Sequence, residues 1–229
     1  MIYSEEKKFV FIAVPKTGTT AIQNLLRGID PDLWINHVRD AGGARVKVQT
    51  HASASRIRAI MGPRARDFTF VAFLREPGAV VLSQYNYYRI GRAAYNQGLT
   101  GQPRPEGIRF RPGVAARVLF AKALPLPLWA RLYPFKTGSQ FVTAPGGTIA
   151  VDRIGLMERL QPDVTAIFGA LGYDPADLQL PVKNRTDYAR DSDRIAQLRR
   201  IVARRQPQDI ALYDRVRAAS PQTAWRSEP

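Results

Sequence analysis

The chain has no cysteine and only two histidines in 229 residues. Disulfides and thiolate-bound metals are therefore excluded, and any imidazole chemistry falls to His37 or His51. No apolar run approaches the roughly 20 residues that a membrane-spanning helix needs. The opening segment, 1–8, lacks the basic, apolar and small-residue order of a secretory signal. Cytoplasmic residence is expected, with peripheral attachment to a membrane surface as the alternative. Zinc-ligand spacings, RNP-like aromatic motifs and recognition-helix signatures are missing too, so no specific nucleic-acid binding is expected.

Acidic residues are scarce. Asp and Glu number 19 against 34 Lys and Arg, which leaves a net charge of +15, mostly from arginine. A field of that sign attracts nucleotides, acidic glycans, nucleic acid and anionic lipid surfaces without choosing among them. A solvated arginine-rich surface explains much of the same excess. Length and a hydrophobic content of 45% suit one well-buried core, so a single domain over 1–229 is expected.

The richest stretch is 9–20. Phe9-Val10-Phe11-Ile12-Ala13-Val14 is an apolar run suited to an interior parallel strand. Pro15-Lys16-Thr17-Gly18-Thr19-Thr20 follows, and Ala21, Ile22, Leu25, Leu26 and Ile29 then recur at helical spacing. The intervening loop thus opens a helix, where unpaired N–H groups and the macrodipole favour phosphate or sulfate. Gly18 permits close backbone approach, Thr17, Thr19 and Thr20 offer hydroxyls, and Lys16 adds a full positive charge. The nucleotide-binding pattern G-x-x-x-x-G-K-[ST] is not matched, because lysine precedes the only glycine. A plain strand-to-helix turn capped by Thr19 or Thr20 is the simpler alternative.

Phe68-Thr69-Phe70-Val71-Ala72-Phe73-Leu74 reads as a second strand. Arg75-Glu76-Pro77 leads from it into a helix that carries Val80, Val81, Ser83, Tyr85 and Tyr88, with Pro77 in the first turn. Arg75 at the strand end and Ser83 about two turns along suit a second anion. Taken singly, Arg75 reads as a surface arginine with Glu76 as a partner, and Ser83 as a neutral helix residue. His51 follows Arg45-Val46-Lys47-Val48-Gln49-Thr50, a strand-like run expected to end beside the other two strand ends. Ligands of open α/β sheets bind there, and an imidazole of ordinary pKa is a general base near neutral pH. The alternative for His51 is a hydrogen-bonded residue at the start of a helix beginning near Ser53. His37 is expected to have a structural or surface role, with substrate contact as the alternative.

These two loops resemble those of sulfotransferases that use 3′-phosphoadenosine 5′-phosphosulfate (PAPS). In that family a P-K-[TS]-G-[TS]-[TS] loop cradles the 5′-phosphosulfate, and an R-x-P element with a serine on the next helix grips the 3′-phosphate. The resemblance assigns Lys16, Thr17, Gly18, Thr19 and Thr20 to the first role and Arg75 and Ser83 to the second. Leu74-Arg75-Glu76-Pro77, Ser83-Gln84-Tyr85-Asn86-Tyr87-Tyr88 and Ile154-Gly155-Leu156-Met157-Glu158-Arg159-Leu160 are most similar to the carbohydrate, uronyl 2-O-sulfotransferase-like branch, as are Leu171-Gly172 and Lys183-Asn184. That branch places a base histidine between its two loops, as His51 is placed here. The fold implied is α/β, P-loop-like and three-layered, with a mainly parallel central sheet flanked by helices. The activity implied is metal-independent transfer of a sulfuryl group to a hydroxyl of a carbohydrate or glycolipid, with His51 as base and Lys16 on the leaving phosphate. A divergent nucleotide kinase and a non-catalytic binder of polyanions or sulfated glycans are the alternatives.

The remainder is less informative. Segment 91–113 is rich in glycine, proline and arginine and is expected to be an irregular insertion or lid that selects the acceptor, with Arg92, Tyr95, Arg104, Arg109 and Arg111 as candidates. Residues 141–143 and 148–151 are expected to pair as short strands. Helices are expected after Pro162, Ser192 and Pro207, with a basic loop holding Lys183, Asn184 and Arg185 between the first two, and a frayed tail over 220–229.

Overall fold

The computed structural model describes residues 1–89, 112–180, 191–221 and 223–225. They gather into two compact units: Met1–Glu76 with the described parts of 137–181 and 208–229, and the described parts of 77–136 and 182–207.

The first unit is built on a five-stranded sheet of order β3 (Trp34–Ile35), β1 (Ile2–Ser4), β2 (Phe9–Ile12), β6 (Thr69–Leu74) and β7 (Arg153–Leu156). Strands β2, β6 and β7 run parallel, with β6 in the middle of the three. β1 pairs antiparallel with β2 on one side and with β3 on the other. The protein is thus a mixed α/β molecule whose central sheet has a parallel heart and an antiparallel border.

Alternation along these strands sorts side chains into two cores. Phe9, Phe11, Val71 and Phe73 face one way, against Ile22 and Leu26 of α1 (Thr19–Ile29) and Val164, Ile167 and Phe168 of a helix over Leu160–Gly169. Val10, Ile12, Phe70, Ala72 and Leu74 face the other. There they meet Ile57 and Met61 of α2 (Ala54–Met61) and Leu212, Tyr213 and Val216 of the helix over Pro207–Ala218. Helices cover both faces, which is why β2 and β6 read as near-continuous apolar runs.

At the amino ends of the parallel strands, Asp152 forms a clamp. Its Oδ2 accepts from the Phe70 N–H at 2.7 Å and from Arg58 Nη2 at 2.7 Å. The same guanidinium donates to the Ala150 and Ala65 carbonyls and lies 3.7 Å from the centre of the Phe70 ring. Strand starts are fixed here, leaving the carboxyl ends to carry loops.

Three segments differ from expectation. Residues Ser139–Val142 form a single helical turn, with only a Thr143–Ile149 bridge in place of paired strands. Asp209 determines this, since its Oδ1 accepts the Ser139 N–H at 2.7 Å across 70 positions of sequence. The run 45–50 does not join the central sheet: β5 (Arg45–Lys47) pairs antiparallel with β4 (His37–Arg39) in a separate hairpin. Arg39 and Arg45 of this hairpin stack on the Trp34 ring. In the expected tail, Trp225 is buried and donates its backbone N–H to the Asp152 carbonyl at 3.1 Å.

The second unit is helical. It includes α3 (Pro77–Arg89), helices over Pro112–Ala123 and Leu126–Leu132, and one over Ser192–Arg205. Trp129 is fully buried between Tyr85 and Tyr133, with ring centroids 5.3 and 4.4 Å away.

Candidate functional site

Parallel pairing places the exits of β2, β6 and β7 side by side, and the residues that follow each strand meet. After Ile12 the chain turns sharply, and the Val14 carbonyl accepts both the Thr17 hydroxyl at 2.9 Å and the Thr19 hydroxyl at 2.8 Å. These hydroxyls hold the turn rather than point outward from it; Thr17 is 1% exposed. Thr20 is exposed at the first turn of α1.

The backbone of the turn is left-handed at two places, Lys16 with φ 67° and Gly18 with φ 72°. Lysine carries a steric cost in that region, whereas glycine does not. A Cβ at position 18 would lie 2.6 Å from Sδ of Met157, just past β7, a contact the flexible methionine relieves by shifting, so the positive φ is the main reason for glycine here. Gly18 is the N-cap of α1, and its carbonyl accepts the Ala21 and Ile22 amides. No side chain caps this helix, and among the described residues no acceptor meets the Gly18, Thr19 or Thr20 amide. Three N–H donors at the positive end of a helix dipole suit an anion.

Arg75 follows β6 directly and is 7% exposed. Its Nη1 donates to the Lys16 carbonyl at 3.4 Å, so the guanidinium lies against the turn. Glu158, after β7, accepts the Glu76 N–H at 2.9 Å and ties the second strand exit to the third. The run Ile154–Leu160 is marked in the sequence only by its likeness to the carbohydrate branch, with no place at the site for Met157 or Glu158; both reach it through strand order.

His51 arrives by a different route from the one expected. The hairpin β4–β5 returns the chain, the Val48 N–H donates to the Asn36 carbonyl, and a turn at 49–52 precedes α2, whose N-cap is Ser53. His51 then lies 2.6 Å, through Nδ1, from the carbonyl of Ala13, the first residue beyond β2. A carbonyl can only accept, so Nδ1 carries the proton and Nε2 keeps its lone pair. Burial is the main cause that holds this imidazole below its usual 6.5, joined by the positive charge of Lys16, while the bond to Ala13 pulls upward. The Met1 amine, which donates to Asn36 Oδ1 and the Thr50 carbonyl, is itself lowered to about 5 by burial.

The first unit therefore brings together Lys16, Thr17, Gly18, Thr19, Thr20, Arg75 and His51. Ser83 lies on α3 in the second unit and is partly buried there. His37 sits on β4 with Nδ1 2.9 Å from the Ile35 carbonyl. The stretch 91–111 and Lys183, Asn184 and Arg185 lie outside the described residues, and 112 and 113 begin a helix.

What these features define is an α/β protein with a basic helix-start turn and an imidazole gathered at the carboxyl ends of its parallel strands. Comparison with protein-family models, with curated proteins and with solved structures returns no match to this chain.

Proposed function

We propose that this protein is a PAPS-dependent sulfotransferase acting on an acceptor hydroxyl of a carbohydrate or glycolipid. In this reading the fold is of the P-loop-like three-layer kind, the compartment is the cytoplasm, and no metal takes part. The 5′-phosphosulfate lies on the amides of Gly18, Thr19 and Thr20 with Lys16 beside it, and Arg75 meets the 3′-phosphate. The part given to Ser83 rests on the resemblance alone.

The reaction is a single in-line displacement. The acceptor oxygen forms a bond to sulfur as the bond from sulfur to the 5′-phosphate oxygen breaks, and the acceptor proton passes to His51 Nε2. Products are a sulfate ester and adenosine 3′,5′-bisphosphate. Negative charge grows on the departing phosphate, where Lys16 and the fixed amides stabilise it without reorganising.

The observation that carries this reading is the bond from His51 Nδ1 to the Ala13 carbonyl. It presents an unprotonated nitrogen beside a turn suited to a phosphosulfate, as general-base transfer needs. The test is donor turnover with hydroxylated acceptors in the presence of a chelator, comparing the parent protein with His51→Ala and Lys16→Ala. Loss of transfer in both folded variants is expected. Near-parental turnover in His51→Ala contradicts the mechanism. ATP turnover that requires magnesium supports a nucleotide kinase instead, and binding of sulfated glycans without turnover supports a non-catalytic module.

A further inference from the structure

Among the described residues, three large apolar side chains are strongly exposed: Leu119 at 67%, Leu128 at 40% and Leu132 at 57%. All three fall within one short stretch of the second unit, on the helices over Pro112–Ala123 and Leu126–Leu132. Scattered exposed leucines need no explanation, but clustering of this kind does.

The helix over Leu126–Leu132 is apolar on both sides. Trp129 and Ala130 are buried and satisfy the core, while Leu128 and Leu132, four residues apart and hence on one face, turn outward. Each helix also repeats a pairing at the next spacing. Lys122 stands three residues after Leu119, and Arg131 three after Leu128, and both bases are exposed. Apolar residues flanked on the same face by long basic side chains are the composition of a helix that lies in a lipid headgroup layer.

Charge selects the occupant. No aspartate or glutamate occurs anywhere between Glu106 and Asp152, so nothing in the surrounding 45 residues offsets Arg117, Lys122, Arg131 and Lys136. All four are exposed. A partner with its own basic surface is repelled, as is a second copy of a chain whose net charge is +15. An anionic lipid surface supplies both what the leucines and what the bases require.

We propose that the segment 116–136 docks this protein on anionic phospholipid bilayers, with Leu119, Leu128 and Leu132 entering the headgroup region. This inference does not depend on the sulfotransferase reading. The test is cosedimentation of the full chain with vesicles of phosphatidylcholine alone or with roughly a quarter phosphatidylglycerol. Binding to the anionic vesicles and little to the neutral ones is expected. The double variant Leu128→Glu/Leu132→Glu is expected to bind anionic vesicles about tenfold more weakly or worse, with an unchanged circular dichroism spectrum. Arg200→Glu, on the helix over Ser192–Arg205, lowers the net charge by the same amount at another exposed position and is expected to bind nearly as the parent does. Equal loss in the two variants shows that total charge alone drives binding and overturns the assignment. So does undiminished binding of the double leucine variant, or absence of binding to anionic vesicles. A dimer in sedimentation velocity that the leucine substitutions dissolve, without any vesicle binding, assigns the face to a second copy and overturns the proposal as well.

Discussion

At the residue scale, the account turns on which nitrogen of His51 carries a proton. Only the neutral ring with its proton on Nδ1 can accept from a substrate hydroxyl, so turnover falls as pH drops and the ring charges. Because burial and nearby positive charge lower the ring pKa, the midpoint of the acidic limb of kcat/KM is predicted below 6.5, with a level profile near neutrality. His51→Ala is predicted to lose a factor of about a hundred or more in turnover. Proton NMR of His51 in a Lys16→Met variant tests the electrostatic part: removing a neighbouring cation raises the ring pKa, and an unchanged or lowered value contradicts the arrangement.

Arg75 makes a different prediction. In the proposed reading, this buried guanidinium against the turn adds charge-assisted bonds to one phosphate of the donor, worth about 1.5–3 kcal/mol. Isothermal titration of Arg75→Ala should therefore show a large loss for adenosine 3′,5′-bisphosphate and a small one for adenosine 5′-phosphate. Equal losses would mean that Arg75 only supports the Lys16 carbonyl.

At the element scale, the turn after β2 is held by geometry that leaves little room. Gly18→Ala places a Cβ at positive φ and against Met157, and the backbone contribution alone is about 1–2 kcal/mol. Urea unfolding should show this loss, and donor affinity should fall with it as the amides shift. The clamp at the other end of the strands is more costly to break. Asp152→Ala leaves the Phe70 amide and the Arg58 guanidinium without this carboxylate, and a loss of about 3–5 kcal/mol is predicted. A loss below about 1 kcal/mol would mean that water or neighbouring groups replace it fully.

The element scale also explains what could be read in advance. Strand β2, its turn, α1 and β6 were legible because a buried parallel strand and an amphipathic helix leave strong local patterns. Helices after Pro162, Ser192 and Pro207 were legible for the same reason; Ile195, Leu198 and Val202 form the expected buried stripe. Border strands β1 and β3 were not, since three and two residues leave no measurable period. The turn at Ser139–Val142 depends on Asp209, and burial of Trp225 depends on Asp152, both distant in sequence. The sequence places His51 near the end of β2, where Nδ1 meets the Ala13 carbonyl, but not by the path the chain takes. Its approach depends on the turn at Asp40–Ala44, where the Asp40 carboxylate accepts the Ala44 N–H at 2.9 Å and reverses the chain.

For the whole molecule, the excess of basic residues acts at a distance. Under the proposed function, a net charge of +15 is expected to draw in a multiply charged nucleotide before any contact forms, and salt to screen that attraction. The KM for PAPS should therefore rise steeply with ionic strength while that for an uncharged acceptor changes little. A salt-independent donor KM would confine recognition to the local contacts of the turn.

The central claim is that a sulfuryl group leaves PAPS for a hydroxyl through His51. The most direct measurement is mass spectrometry of acceptor and nucleotide together, after incubation with PAPS in excess chelator. The account predicts a sulfated acceptor and adenosine 3′,5′-bisphosphate in equal amounts, both lost in folded His51→Ala. Unchanged PAPS across a broad panel of hydroxylated acceptors, or equal product from the His51 variant, would contradict it.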